Sequence, residues 1–575
     1  MTQKFLFLFV FFSIFQGKAQ FSSTDTLKGN YANGGTLDTL DLNSQGFSYP
    51  YFFYLNNSSR SLPFQLLNPT FRFSNSIAQK EFDMTFCALP HIGFSYLFGQ
   101  QGAQQIRAEY QQKIAPKCLL NGSVDNVQFS GFQRNSSFQD LNYKALVKFE
   151  DTLVRSTFLL KSRNRFNQWN GGLENDSLLD ILPQDFISVN KNDAQSRTKT
   201  LELGHQTFFT IKKDKSIHTF FGIENTFSRQ QFDYQETGDI ASLYNVVFID
   251  SLQTADSLKR YRSANSMCLG LANDKSTFQV GVRHSYLLAR AEENNLDTNT
   301  IESFLKAKWR FGKFKLESNS EMALFGNFNA WKSHNQLRYD HGRWMGTMSA
   351  TIAQLPLGFN QRFYYGNTVQ YVQSSSALQN EISFAIQAAY LMKKWSLKGR
   401  AELLDLDALY QFNGQFWDNS SMEEFSAQRL HLAVSYHPKE ISMQAQYNFT
   451  LQNASLQYLP THDVFVRISF PWGLFKDKVL KSIWGIDFHY LSAHQRFSFL
   501  PVPATLDVLQ MSMNSKQPGF YKLSAFANFN VNHFRFFARW DNIPYFWVNP
   551  RVEMVSGIFY PQSQIKIGIT WDFWN

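Results

Sequence analysis

Near its end the chain runs Gln564, Ile565, Lys566, Ile567, Gly568, Ile569, Thr570, Trp571, Asp572, Phe573. Side chains on a strand point to opposite faces with period two. Ile565, Ile567, Ile569, Trp571 and Phe573 therefore form an apolar face, and Lys566, Gly568, Thr570 and Asp572 a polar one. Such a strand must bury its apolar face against a second sheet or against lipid. If lipid, the polar face lines a lumen and both edges must pair, because hydrocarbon offers an open edge no partner.

The pattern recurs along most of the chain. Leu141, Tyr143, Ala145, Val147 and Phe149 alternate with Asn142, Lys144 and Lys148, and beyond Glu150-Asp151 the run 154–161 follows. Segment 201–212 turns at Lys213-Asp214-Lys215 into 217–228, and Asn273-Asp274-Lys275 separates two more strands. Ile301, Ser303, Leu305, Ala307, Trp309 and Phe311 face one way, with Glu302, Lys306, Lys308 and Arg310 on the other. Gly312-Lys313, His341-Gly342-Arg343, Lys393-Lys394, His437-Pro438-Lys439-Glu440 and Asn530-Val531-Asn532 read as further hairpin turns. Between hairpins lie longer connections at 163–198, 229–257, 355–379, 411–424, 494–518 and 541–563. Short turns on one rim and long loops on the other are the asymmetry of membrane barrels. The expectation is an all-β chain, a transmembrane antiparallel up-and-down β-barrel with an even strand number, about 22 within a range of roughly 16 to 24. An even number puts both termini on the short-turn, periplasmic side.

The start of the chain adds a destination. Lys4, an apolar run from Phe5 to Phe15 and then Gln16-Gly17-Lys18-Ala19 read as a secretory signal peptide, residues 1–19. Residues 20–48 are polar and read as a short periplasmic arm, leaving 49–575 for an outer-membrane barrel. The arm is too short for a compact domain of about 100 residues. With 59 Phe, 24 Tyr and 12 Trp the chain is 17% aromatic, yet its mean hydropathy is only −0.32. No run of about 18 apolar residues follows the signal, which excludes helical spans, whereas lipid and lumen faces of a barrel cancel in such an average.

Candidate chemistry is sparse. Cys87, Cys118 and Cys268 are too few and too scattered for a disulfide framework or a zinc site. No hydrolase, metalloprotease or phosphate-loop motif occurs, and no cofactor, metal or nucleic acid is implied. His489 and His494 are an odd number of residues apart and fall on opposite strand faces. Asp405 and Asp407 share a face as a lumen or rim pair, and outward positions read as almost all apolar, leaving no room for a Ser/His/polar constellation on the outer wall. What remains is charge. Lys144, Lys148, Arg155, Lys161, Glu302, Lys306, Lys308, Arg310, Arg535 and Arg539 fall on polar strand faces as candidate pore-lining residues. Arg163 and Arg165, at the mouth of the first long connection, are the candidate constriction. The formal net charge of +9 becomes +7 once Lys4 and Lys18 leave with the signal, so the inward field leans cationic.

Several short motifs carry a resemblance. The Leu37-Asp38-Thr39 start, Leu89-Pro90 with Tyr96 and Gly99, Asn170-Gly171-Gly172, and the ending Tyr560-Pro561 with Gly568-Ile569-Thr570-Trp571 resemble the putative-porin family of the Bacteroidota. Leu55-Asn56-Asn57-Ser58-Ser59 departs from it, standing where that family tends to place glycines. The resemblance implies an outer-membrane barrel and a channel, and it brings no catalytic or ligand residues. Two readings follow. One is a passive channel for small hydrophilic solutes with a weak preference for anions. The other is a structural or secretion-accessory barrel whose long external loops bind other envelope proteins. Expected partners are outer-membrane lipid, the solutes, and the outer-membrane assembly machinery through the C-terminal strand; the oligomeric state is left open.

Overall fold

The computed structural model of the protein describes residues 90–574 apart from short stretches, most of them in the longer connections. The expected signal peptide, the arm 20–48 and the stretch 49–89 lie outside the described residues, as do Asp214 and Lys215 of one expected turn. Twenty-two strands form one sheet. In chain order they are β1 (His91–Gly99), β2 (Gln104–Ala115), β3 (Cys118–Phe129), β4 (Phe138–Glu150), β5 (Val154–Gln168), β6 (Gln195–Lys213), β7 (His218–Thr237) and β8 (Gln253–Ala272). There follow β9 (Ser276–Ala291), β10 (Asn294–Phe311), β11 (Phe314–Phe325), β12 (Trp331–His341), β13 (Trp344–Pro356), β14 (Leu378–Leu391) and β15 (Trp395–Leu406). The last are β16 (Phe425–Tyr436), β17 (Ser442–Gln452), β18 (His462–Leu474), β19 (Leu480–Leu491), β20 (Phe520–Val531), β21 (Phe534–Asp541) and β22 (Gln564–Trp574).

Each strand pairs antiparallel with its neighbours in sequence, and β1 closes the sheet against β22 from His91↔Trp574 to Gly99↔Lys566. Closure leaves no free edge in the wall, which is what hydrocarbon demands. The described wall thus begins at His91. Short turns follow local chemistry. Gly312 and Gly342 adopt φ of 59° and 62° at the first central position of two-residue turns, as a II′ hairpin requires. Asn273 Oδ1 accepts from the N–H groups of Lys275 at 2.8 Å and Ser276 at 2.6 Å, closing the turn between β8 and β9.

The alternation sorts the two faces of the wall. Ile565, Ile567, Trp571 and Phe573 of β22 are exposed on the outside, while Gln564, Lys566 and Thr570 are buried inward. Beside the short turns the outer face carries an aromatic girdle. Phe311 stacks on Phe314 at 5.5 Å, Trp344 lies 4.6 Å from Tyr390, and Trp395 lies 4.2 Å from Tyr436. Inside, several aromatic rings lie over glycines of the next strand. A Cβ on Gly568 would stand 2.1 Å from the Phe537 ring, so that position admits no side chain unless the ring moves.

The expected connections 163–198 and 229–257 are too long. The structure carries β5 on to Gln168, starts β6 at Gln195, and extends β7 to Thr237 and β8 back to Gln253. The 20 residues of β8 span roughly 50 Å at about 3.3 Å per residue and a tilt near 40°, against an apolar belt of about 25 Å. Above that belt the outer face no longer needs apolar side chains, so the alternation fades before the strand does.

Met348 stands outward on β13 midway between Trp344 and Ile352, and Ser349 beside it faces inward. Met348→Arg should cost about 2–4 kcal/mol of folding stability in bilayers, as for a charge near the midplane. Ser349→Arg should cost much less. Equal losses in urea titrations of vesicle-folded protein would mean the faces are misassigned.

Candidate constriction of the lumen

The inner wall is a mosaic of ion pairs. On β4 and β5, Asp140 accepts from Arg163 Nε at 2.8 Å and from Arg165 at 3.1 Å. Lys144 and Lys161 stand directly opposite each other, and Lys161 reaches Glu202 of β6 at 3.7 Å. Lys148 pairs with Glu150 at 2.8 Å, and the Arg155 guanidinium lies 5.1 Å from the centre of the Phe208 ring. On the β9–β11 arc Arg283 bridges Glu302 at 3.3 Å and Glu321 at 3.4 Å. Below it Lys306 lies 5.1 Å from the centre of the Phe304 ring, Lys308 pairs with Glu317 at 3.6 Å, and Arg310 stands opposite Lys315. Where the barrel closes, Arg467 donates to Asp487 at 2.6 Å and Arg539 bridges Asp487 at 2.7 Å and Asp541 at 2.6 Å. Asp541 also meets Lys566 at 2.9 Å and Lys522 at 3.8 Å. Arg535 faces inward opposite Thr570. Within this last network two carboxylates, Asp487 and Asp541, meet four cations.

All the candidate pore-lining residues therefore sit on the inner face. Arg163 and Arg165 do too, but not where the sequence suggested. They are part of β5, clamped on Asp140 against the wall, rather than at the mouth of a loop. Asp405 stands on the outer face opposite Ile382, and Asp407, just past the strand, accepts from the Asn380 N–H at 2.8 Å. No carboxylate pair faces the lumen there.

Sequence reasoning missed a hairpin that packs on the inner wall. Within the β13–β14 connection, Phe363–Tyr365 pairs with Gln370–Val372 and lies against the wall at the long-connection ends of the strands. Phe363, Tyr364, Val369 and Tyr371 are buried against Phe232 and Tyr234 of β7, Leu258 of β8, and Ala289 and Ala291 of β9. Two polar latches pin it. Asp256 of β8 accepts from the Tyr364 hydroxyl at 3.0 Å and from the Asn367 N–H at 2.8 Å. The Asn367 side chain accepts from the N–H groups of Ile249 and Asp250 at 2.9 and 2.8 Å, and donates to the carbonyls of Asp250 and Gln253 at 2.7 and 2.9 Å. The hairpin is thereby tied both to the wall and to the 238–252 connection. The signal for it was present: inward positions Phe232, Tyr234, Leu287, Ala289 and Ala291 are apolar where a wet lumen would want polar side chains.

The neighbouring connection 169–194 is ordered by the Asn170-Gly171-Gly172 motif. Asn170 is fully buried, donates to Gln133 Oε1 at 2.7 Å and accepts from the Gly172 N–H at 3.0 Å, while both glycines take positive φ, 67° and 89°. Lys191 closes it by pairing with Glu236 at 3.0 Å, and burial holds its ammonium below the ordinary lysine range despite that partner.

The outer wall also differs from expectation. On β5–β7 the outward His205 Nε2 lies 2.6 Å from Thr207 Oγ1 and 3.4 Å from Ser156 Oγ, with Asn225 Nδ2 3.5 Å from Nδ1. A Ser/His/polar constellation does exist. It lies within the β5–β6–β7 ladder, where backbone N–H groups are committed to neighbouring strands and cannot turn to an oxyanion. Among the described residues no group of three or more His, Cys, Asp or Glu is placed to hold a metal.

A closed barrel with an apolar outer belt, a charged interior and an inward-folded loop defines a membrane-type β-barrel. The chain belongs to the family described as "Putative porin", whose profile matches residues 11–575. No curated protein sequence matches it. Among solved structures it is similar to the ferric yersiniabactin uptake receptor FyuA from Yersinia pestis, with a TM-score of 0.60 and 9% identity over 85% of this chain and 81% of that one. The copper transporter OprC gives a TM-score of 0.60 at 12% identity, over 85% and 81%. The FrpB iron transporter from Neisseria meningitidis gives 0.58 at 10%, over 86% and 82%. At such identities the likeness is one of fold alone.

Asn367→Ala removes buried hydrogen bonds that each contribute on the order of 1 kcal/mol or more. Amide exchange across 363–371 should rise at least about tenfold while β7 and β8 keep their protection. Unchanged exchange would show that the apolar cluster alone holds the hairpin.

Proposed function

We propose that the protein is an outer-membrane channel for passive diffusion of small hydrophilic solutes, weakly selective for anions. The observation that carries this reading is the inner wall, lined with charge from the hairpin to the short turns, with four cations, Lys144, Lys161, Arg163 and Arg165, gathered around Asp125, Asp140 and Glu202. Low-dielectric walls focus such a field on the lumen. The hairpin acts as the constriction, narrowing the external mouth without covering the charged wall beneath. Lipid contacts the outer belt, and the amphipathic β22 is the strand presented to the assembly machinery. No reaction is assigned to the chain. A second reading draws on the ordered external connections: folded around Asn170 and Asn367, they form a firm surface on which another envelope protein could dock. The receptors and transporters of similar fold act on iron and copper, but their likeness in fold brings no such cargo to this chain.

In planar bilayers the purified protein should conduct, with a reversal potential in a KCl gradient on the anion-selective side. Lys144→Gln with Lys161→Gln should move that potential toward zero. A clear cation preference would overturn the selectivity, and absence of conductance would favour the docking reading.

Orientation is tested separately. Ile181, 78% exposed in the 169–194 connection, should lie outside the cell, and the Asn273–Lys275 turn in the periplasm. A protease site placed after Leu182 should be cut on intact cells, and one in the turn only after the outer membrane is opened.

A further inference from the structure

We propose that the protein pairs with a second copy of itself through the outer flank formed by β6 to β12. On that flank the side chains at hydrocarbon depth are polar. His205, Asn225, Asn265 and His284 occupy successive directly paired positions on β6, β7, β8 and β9, all facing outward. They are bracketed by apolar outward rows: Phe209, Leu269 and Val280 toward the short turns, Leu203 and Phe227 toward the loops. Further round, Ser318 donates to Asn335 at 2.6 Å, and Asn335 in turn to Ser333 at 3.1 Å. The row Ala307, Ser318, Asn335, Ala350 is small as well as polar. The opposite side of the barrel differs, with Phe536, Ile569, Tyr96 and Ile106 at successive paired positions.

Lipid tails cannot hydrogen-bond, so amide and imidazole groups facing them are left with the bonds made along the wall, such as His284 Nε2 to Asn299 Oδ1 at 2.6 Å and Asn265 to Ser263 at 3.4 Å. Asn and His keep donor and acceptor capacity beyond the bonds they make on this surface. Small residues also let a second backbone come close, the feature that marks packing inside bilayers. The occupant follows from chemistry and size. His, Asn and Ser each donate and accept, so the flank is complementary to itself, as a twofold interface requires. At about 4.8 Å between strands and ~25 Å of apolar height, β6 to β12 present about 700 Å², close to the ~800 Å² per partner of a stable interface.

β9 lies at the centre of the flank, so a twofold axis brings His284 near its counterpart. In a full-length chain with Cys87, Cys118 and Cys268 changed to Ser, oxidation of His284→Cys in native membranes should yield a disulfide-linked dimer. Ile569→Cys, on the opposite side, should stay monomeric. Native mass spectrometry of the unsubstituted protein should show the dimer, and Asn265→Leu with His284→Leu and Asn335→Leu should lower it at least about tenfold. Heat-modifiable gel migration checks that this variant still folds. The proposal is overturned by a monomer in both measurements, by equal linking through Ile569→Cys, or by a dimer that survives the folded triple variant; a monomer carrying bound lipid would assign the flank to lipid instead.

Discussion

Hydrocarbon offers a peptide group no hydrogen bond, and the rest of the molecule depends on that. An antiparallel sheet satisfies its interior strands but not its edges, so the sheet must curl until β1 meets β22. Once closed, it has two faces in two different media, and the sequence must alternate to suit both. The same demand explains why the outer face is apolar over a limited height and ringed by Trp, Tyr and Phe at the short turns. Beyond that height the demand lapses. Strands such as β7 and β8 continue past it, held by their ladders and by the hairpin packed on their inner face.

The inner face meets a different difficulty. Charges crowded on a low-dielectric wall repel unless paired, and burying them costs solvation that only well-placed partners offset. The structure answers with bridged clusters: Arg163–Asp140–Arg165, Glu302–Arg283–Glu321 with Arg262 beside them, and the chain from Arg467 to Lys566. A bridging charge serves two partners at once, so the arrangement that stabilises the wall also leaves a patterned field in the lumen.

Much of this was legible in the alternation. Asp405 apart, the strand faces named from sequence follow from period two, and the strand number follows from counting hairpins between long connections. What alternation could not show was anything that breaks its premise of lipid outside and water inside. Strand ends above the belt lost their signal, which is why Arg163 and Arg165 were placed at a loop mouth although they stand in β5. Phe232 fell inside the expected 229–257 connection, so alternation assigned it no face, and it is the Phe363–Val372 hairpin packed on it and on Ala289 that makes these inward positions apolar. The outer polar residues were passed over for a similar reason, since single Asn or His positions matter only when neighbouring strands bring them into register.

These departures from the simple pattern coincide in space. Strands β6 to β9 carry the hairpin on their inner face near the external end and the His205–Asn225–Asn265–His284 row on their outer face nearer mid-height. A sheet is one layer thick, so the two surfaces share a backbone: Asp256, which holds Tyr364 and Asn367, stands on the same strand as Asn265. A wall braced on its outer side by a second copy would bend less under the hairpin. The latch at Asp256 and Asn367 would then hold the hairpin against a stiffer support, with its polar ties on the inner face of the wall and the second copy on the outer.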